Sequence, residues 1–232
     1  MTLRHLLPLT VLGVSLFGCP PKEDDTAPDG DTDTDTDTDT DTDTDADTDV
    51  DMAQSWSFDD STDLPDGFSV ADGTWEVDAD EGACSAPNVL RQTGSGTYPR
   101  ALYEGATWQD ATLSVRCSPE SGLQDQACGL LFRAVDEDNY LLTRANALED
   151  NVRLYTVIDG SRVEFASADV PVTAGEWHSL SVQFVGSDIT VSWDDATVLT
   201  ESDDTFLAPG FVGVWTKADS VTAFDDLAVT PD

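Results

Sequence analysis

The segment from Gly175 to Val229 constrains the fold more than any other part of this chain. Polar and apolar residues alternate along it in runs of five to nine, and Gly, Asp, Pro or Ser closes each run. Alternation with turn residues between the runs is typical of antiparallel strands, whereas a helix would need an apolar stripe at its own period. The segment therefore predicts a series of strands. It contains no combination of nucleophile, base and acid that would identify a reaction.

The same pattern begins at Gln54, and turn signals recur about every ten residues. Strands are predicted at Gln54–Asp59, Gly73–Asp78, Asn88–Gln92, Arg100–Glu104, Ala111–Cys117, Ala127–Val135, Tyr140–Arg144, Asn151–Ile158 and Arg162–Ala168. Pro and Gly mark a turn at Leu64–Gly67, and Asp159-Gly160 is a strong hairpin corner. Six Trp and nine Phe supply enough apolar surface for one core. We therefore predict an all-β, two-sheet antiparallel sandwich over residues 53–232.

Several short motifs extend this prediction to a family. They are Gly129–Arg133, Asp138–Tyr140, Gly175–His178, Gly186–Val191, Gly210–Gly213 and Phe224–Asp226. Their succession resembles the concanavalin A-like lectin/glucanase superfamily, in particular laminin-G-like domains and the 3-keto-disaccharide hydrolase domain, which is related to family 16 glycoside hydrolases. The resemblance covers residues 54–230. It implies a jelly roll whose concave face often holds carbohydrate.

The amino terminus has the pattern of an export signal over residues 1–18. Arg4 and His5 precede an apolar run from Leu6 to Phe17, which is too short to span a bilayer. The sequence Leu16–Cys19 resembles a bacterial lipobox, in which cleavage leaves a lipid on Cys19. In that resemblance, Pro20 is compatible with sorting to the outer membrane. An ordinary signal peptide with an incidental Cys is the alternative.

An acidic tether is predicted over residues 19–52. Every odd position from Asp31 to Asp51 is Asp, and most even positions are Thr. Such a segment has almost no apolar surface to bury, so we expect it to be disordered and extended by charge repulsion. Calcium binding is an alternative, although the Gly and closing Glu of an EF-hand loop are missing. O-glycosylation of the Thr residues is another.

The charge of the chain limits its partners. It carries 47 acidic and 10 basic side chains, a net charge of -37. Residues 52–232 alone hold 32 acids and 8 bases. Association with nucleic acid or anionic lipid through overall charge is therefore disfavoured.

One motif suggests glycoside hydrolysis. Glu76, Asp78 and Glu81 follow the E-x-D-x-x-E spacing, which resembles the catalytic signature of family 16 hydrolases. Two carboxylates about 5 Å apart would suit a retaining mechanism. However, the motif comes too early in the chain, and the residues that follow it in the family are missing. An acidic strand end is the simpler interpretation, so the prediction leans against an enzyme.

Strand parity suggests a ligand groove. If Val212 and Val214 face the core, their odd-numbered neighbours face the other side of the sheet. By the same rule Arg133 lies opposite Phe132. The predicted ligand-binding residues are Arg133, Tyr140, Arg144, Trp215 and Lys217. Aromatic faces suit sugar rings and charged donors suit hydroxyls, but packing of the rings and ion pairing of the bases is the alternative. His178 shares parity with apolar residues and is assigned to the core.

The resemblance also implies a metal site. In this superfamily the first and last strands adjoin, and a calcium ion often ties the chain ends together. Asp59 and Asp60 lie in the first predicted strand, and Asp225 and Asp226 in the last. Their oxygen ligands would suit a structural Ca²⁺, with surface acids that bind no ion as the alternative. No other cofactor is expected.

Three cysteines remain in the predicted domain once Cys19 is assigned to the lipid. Cys117 and Cys128 flank a predicted hairpin loop and are the favoured disulfide, because an exported protein can form one. This pairing leaves Cys84 free. A bond between Cys84 and either of the other two is the alternative.

These features together predict a surface-anchored lipoprotein whose non-catalytic jelly roll binds glycan or another extracellular ligand. The alternatives are a glycoside hydrolase and a purely structural or adhesive envelope protein. The sequence leaves the oligomeric state open.

Overall fold

The computed structural model describes residues 52–232. The predicted signal peptide, Cys19 and nearly all of the tether lie outside these residues. The described part consists of fifteen strands. Within it, no helix is long and apolar enough to cross a membrane.

The strands form two antiparallel sheets. The strands of the first sheet are β1 (Gln54–Trp56), β3 (Trp75–Ala79), β4 (Asn88–Gln92), β6 (Ala111–Ser121), β11 (His178–Val185), β12 (Asp188–Trp193), β13 (Ala196–Ser202) and β15 (Val221–Pro231). Those of the second are β2 (Phe68–Asp72), β5 (Arg100–Trp108), β7 (Ala127–Asp136), β8 (Asn139–Asn146), β9 (Asn151–Ile158), β10 (Ser161–Asp169) and β14 (Gly210–Trp215). The first sheet has the order β13-β12-β11-β6-β15-β4-β3, with β1 also paired to β15. The second sheet has the order β10-β9-β8-β7-β14-β5-β2.

Alternation along each strand builds the core between the sheets. In β11, Leu180, Val182 and Phe184 are fully buried, and polar residues separate them. They join apolar residues of the second sheet, such as Leu130 and Val212, in one cluster. The prediction of an all-β, two-sheet sandwich is confirmed.

The buried residues of a second apolar cluster all belong to the second sheet. Because the first cluster fills the space between the sheets, this second one lies on the outer face of the second sheet. We call this surface the groove face. Its central residues are Tyr140, Tyr155 and Trp215, and it positions the candidate site.

The connection between β6 and β7 differs from the prediction. The two strands belong to different sheets, so the intervening loop crosses the sandwich and is not a hairpin. The predicted disulfide between Cys117 and Cys128 is present and links the two sheets. Residues 52–232 contain no free cysteine, so the expectation that this bond would leave Cys84 free is wrong.

The structure also confirms the predicted hairpin and the adjoining first and last strands. Asp159 and Gly160 both have positive φ and join β9 to β10 as the expected hairpin. The first and last strands adjoin, with Ser55 opposite Ala228. Strand β2 was not predicted, because Phe68–Asp72 is a short run that directly follows the Pro-Gly turn.

Candidate functional site

Trp215 lies at the centre of the groove face. Its indole Nε1 donates a hydrogen bond to the hydroxyl of Tyr140 at 3.2 Å. The ring of Tyr98 stacks on the indole, with centroids 5.6 Å apart and planes inclined by 28°. Trp215 and Tyr140 are buried, whereas Tyr98 is partly exposed. Burial raises the pKa of Tyr140, although the charge of Arg100 opposes the shift, so its hydroxyl stays protonated.

Arg162, on the edge strand β10, completes this aromatic cluster. Its guanidinium carbon is 4.3 Å from the centroid of the Tyr155 ring, 5.1 Å from Tyr98 and 5.4 Å from Trp215. A guanidinium held against aromatic faces gains cation–π energy. Its Nη1 is buried without a hydrogen-bond partner, while the residue as a whole stays partly exposed.

Arg144, on β8, forms a polar network beside the rings. Its Nη1 donates to Oδ1 of Asn151 at 3.2 Å, and its Nη2 donates to Oε2 of Glu149 at 2.8 Å and to the Tyr155 hydroxyl at 3.1 Å. Burial would raise the pKa of Glu149, but the hydrogen bond from Arg144 and the charges of Arg144 and Arg153 lower it. The network therefore holds a charged carboxylate against a buried guanidinium.

Two pockets open next to the aromatic cluster. The first, of 280 Å³, is lined in part by Tyr98, Arg100 and Tyr140. The second, of 350 Å³, lies over Leu102 and Phe211. Ala71 and Glu137 line both pockets, so they adjoin. Their aromatic residues are Tyr98, Tyr140 and Phe211, and aromatic walls are typical of a small-ligand site. Their charged residues are one base and five acids, namely Arg100, Asp72, Glu104, Asp136, Glu137 and Asp138.

The structure brings together three of the five predicted ligand-binding residues. Tyr140, Arg144 and Trp215 share the groove face, as parity predicted. Lys217 lies just beyond β14, where its Nζ is 2.8 Å from Oδ2 of the buried Asp125. It is therefore an ion-paired neighbour of the cluster.

Arg133 is the exception, and the prediction that it faces away from Phe132 is wrong. Its φ of 50° marks an irregularity in β7, and the strand loses regular register there. The side chain consequently lies over the ring of Phe184, at 5.2 Å from its centroid, and donates to the carbonyl oxygen of Gln109 at 2.9 Å. Burial lowers the pKa of Arg133, although Asp110 opposes the shift. Arg133 thus closes one end of the core.

The hydrolase-like motif lies away from the groove face. β3 is the edge strand of the first sheet, and Trp75 and Val77 face its core. Glu76 and Asp78 therefore project from the outer face of that sheet. Asp78 forms an ion pair with Arg91 at 3.4 Å, and Glu81 is exposed in the following turn.

The four acids of the predicted calcium site divide into two environments. Asp60 and Asp226 line a cavity of 680 Å³ at the chain ends. Asp59 accepts a hydrogen bond from the Asn88 amide at 3.1 Å, and Asp225 is buried. Within residues 52–232 no group of three or more acidic, His or Cys side chains is placed to hold a metal. The calcium site stays a prediction.

His178 is buried, as predicted. Its ring stacks on Trp193 at 4.6 Å, and its Nδ1 lies 2.9 Å from Oδ2 of Asp194. Burial would lower the pKa of His178, but the hydrogen bond and the charge of Asp194 raise it. The pair joins β11 to the β12–β13 turn and lies in the first sheet, away from the groove face.

Sequence reasoning missed several residues of the groove face, namely Tyr98, Arg100, Asn151, Tyr155 and Arg162. Parity could have placed Arg162 on one face with Glu164, and Arg153 with Tyr155. It could not have placed Tyr98, which lies in a loop before β5.

The sequence matches no family model and no curated protein. Among solved structures, the carbohydrate-binding module CBM66 from Bacillus subtilis matches with a TM-score of 0.61 and 22% identity, over 71% of this chain and 95% of that one. Bacillus licheniformis β-glucanase matches with a TM-score of 0.54 and 11% identity, over 78% of this chain and 98% of that one. The laminarinase from Rhodothermus marinus matches with a TM-score of 0.55 and 15% identity, over 77% of this chain and 96% of that one. The fold is thus a two-sheet jelly roll, which this carbohydrate-binding module, β-glucanase and laminarinase also have.

Proposed function

We propose that this protein is an exported glycan-binding lipoprotein whose groove face binds sugar. One observation carries the proposal: Tyr98, a partly exposed ring that stacks on the buried Trp215, lines a pocket of this face together with Tyr140. Sugar rings present apolar C–H faces that pack on aromatic rings, and their hydroxyls accept hydrogen bonds from fixed donors. The fold shared with a carbohydrate-binding module supports this assignment.

The proposed anchor is a lipid on Cys19, with the acidic segment before residue 52 as a spacer. This part of the proposal rests on the lipobox resemblance and the Asp/Thr repeat. Metabolic labelling with a radioactive fatty acid tests it. The label should enter the wild-type protein and should be lost in Cys19→Ala.

Tyr98 is the residue with which to test glycan binding, because it is partly exposed while Trp215 beneath it is fully buried. The purified protein should bind members of a polysaccharide and oligosaccharide array. Tyr98→Ala should lower the affinity about tenfold through loss of ring contact. Trp177→Ala serves as the control, because Trp177 is a partly exposed ring that directly precedes β11 of the first sheet. If no glycan binds, the proposal fails.

A glycoside hydrolase is the second candidate, and the folds of the β-glucanase and the laminarinase favour it. Glu76, Asp78 and Glu81 give it little support, because a sugar on the groove face would lie on the other side of the sandwich. Release of reducing ends from a glycan that binds would favour the enzyme. Survival of that turnover in Glu76→Gln would exclude this motif from the mechanism.

A further inference from the structure

Arg162 differs from the other bases of the described domain. Residues 52–232 contain 32 acids and 8 bases, so a base without a carboxylate is unexpected. Six of the eight bases form ion pairs with Asp or Glu, namely Arg91, Arg100, Arg133, Arg144, Arg153 and Lys217. A seventh, Arg116, interacts electrostatically with Asp194. Among the described residues, Arg162 has neither a carboxylate at ion-pair distance nor a hydrogen-bond acceptor for its side chain.

Two carboxylates on or beside the strands around Arg162 are engaged elsewhere. Glu164, two residues further along β10, lies 3.2 Å from Nη1 of Arg153. Glu149 binds both Arg144 and Arg153, at 2.8 and 3.4 Å. The charged residues of the adjoining 280 Å³ pocket are Asp72, Arg100, Glu137 and Asp138, of which Arg100 and Asp138 form an ion pair at 3.4 Å. An anion would therefore bind at Arg162 itself and not in this pocket.

The aromatic rings hold the Arg162 guanidinium in place but give its N–H donors no hydrogen-bond acceptor. Tyr98, Tyr155 and Trp215 all lie within 5.4 Å of its carbon. Rings engage the flat face of a guanidinium, whereas its N–H donors point outward in the plane and match the fork of an anionic group. The buried Nη1 lacks an acceptor, and an unsatisfied buried donor is costly. Arg162 as a whole stays partly exposed, so an anion that reached its guanidinium would supply an acceptor.

We infer that the ligand of the groove face is an acidic sugar, whose single carboxylate or sulfate binds Arg162 while its ring packs beside Tyr98. The inference rests on the proposed glycan binding and names the class of glycan. One charge fits better than many, because one guanidinium is unpaired and the acidic domain repels a polyanion at long range.

Matched sugars test the inference by calorimetry on the purified protein. Glucuronosyl-xylotriose is compared with xylotriose, and lactose sulfate with lactose. At least one acidic member should bind about 10- to 100-fold more tightly than its neutral partner, as expected for a charge-assisted hydrogen bond. The pair that shows the difference identifies carboxylate or sulfate. Raising the ionic strength from about 0.1 M to about 1 M should weaken only the acidic member.

Arg162→Gln should reduce the affinity for the acidic sugar to that of its neutral partner, and Arg162→Lys should restore part of it. Arg91→Gln, which removes the same charge from the first sheet, should leave the preference intact. Thermal unfolding verifies that each variant is folded. Equal affinity for acidic and neutral sugars, or an unchanged preference in Arg162→Gln, overturns the inference and leaves glycan binding in place. Failure of every sugar, including a wider neutral array, overturns both.

Discussion

Asp225 makes the stability of this protein depend on pH in a direction opposite to that of most carboxylates. It is fully buried in β15 and accepts hydrogen bonds from the amide of Ser85 at 2.7 Å, the hydroxyl of Ser85 at 2.8 Å and the amide of Asp226 at 2.8 Å. Burial raises the pKa of Asp225 to about 6, although the Ser85 hydrogen bonds oppose the shift. The neutral acid is therefore the form that the fold prefers.

The sign of the effect follows from proton linkage. The pKa of Asp225 is about 6 in the folded protein, against about 3.9 for an unperturbed Asp. The folded state holds the proton more tightly, so its contribution to stability is complete below about pH 4 and is lost as the pH rises through about 6. A difference of about 2 pKa units corresponds to about 3 kcal/mol. That is a large part of the 5–15 kcal/mol, roughly, by which domains are stable.

Urea unfolding of the wild type and Asp225→Asn between about pH 4 and pH 7.5 measures this contribution. Other carboxylates titrate in both proteins, so the difference between the two isolates Asp225. The free energy of unfolding of the wild type should fall by about 3 kcal/mol relative to Asp225→Asn as the pH rises. Lost hydrogen bonds in the variant add only a constant offset. Asp226→Asn removes an exposed neighbouring charge that helps to raise the pKa of Asp225, so it should keep the effect but make it smaller. Parallel curves for the wild type and Asp225→Asn would refute the reasoning.

Three further outcomes are expected. Replacing Cys117 and Cys128 by Ser should lower the free energy of unfolding by about 3 kcal/mol, because the bond closes a short loop between the sheets; denaturant titration with and without reductant measures it. Gly213→Ala should cost about 1–3 kcal/mol, since a Cβ would lie 2.2 Å from a backbone oxygen of β5, and a normal melting temperature would contradict this. If the proposed calcium ion binds at the chain ends, Ca²⁺ should raise the melting temperature of the wild type but not of Asp60→Asn with Asp226→Asn.

Strand parity predicted much of the groove face because alternation is a local property. Val212 and Val214 enter the core while Phe211 and Trp215 face outward, as the period of two requires. Tyr140 shares the outer face with Trp215 for the same reason. Wherever a strand is regular, the two sides of the sheet can be read directly from its residues.

The other features of the site depend on contacts between distant segments, which no local sequence pattern encodes. The irregularity at Arg133 turns its side chain to the core, and nothing in the sequence of β7 marks it as a Gly would. β6 belongs to the first sheet and β7 to the second. Alternation within a strand does not indicate to which sheet the strand belongs. Arg162 gains its importance from Tyr98 and Trp215, which come from segments far away along the chain. The position of Arg162 beside these rings follows only from the order of the strands in the sheet.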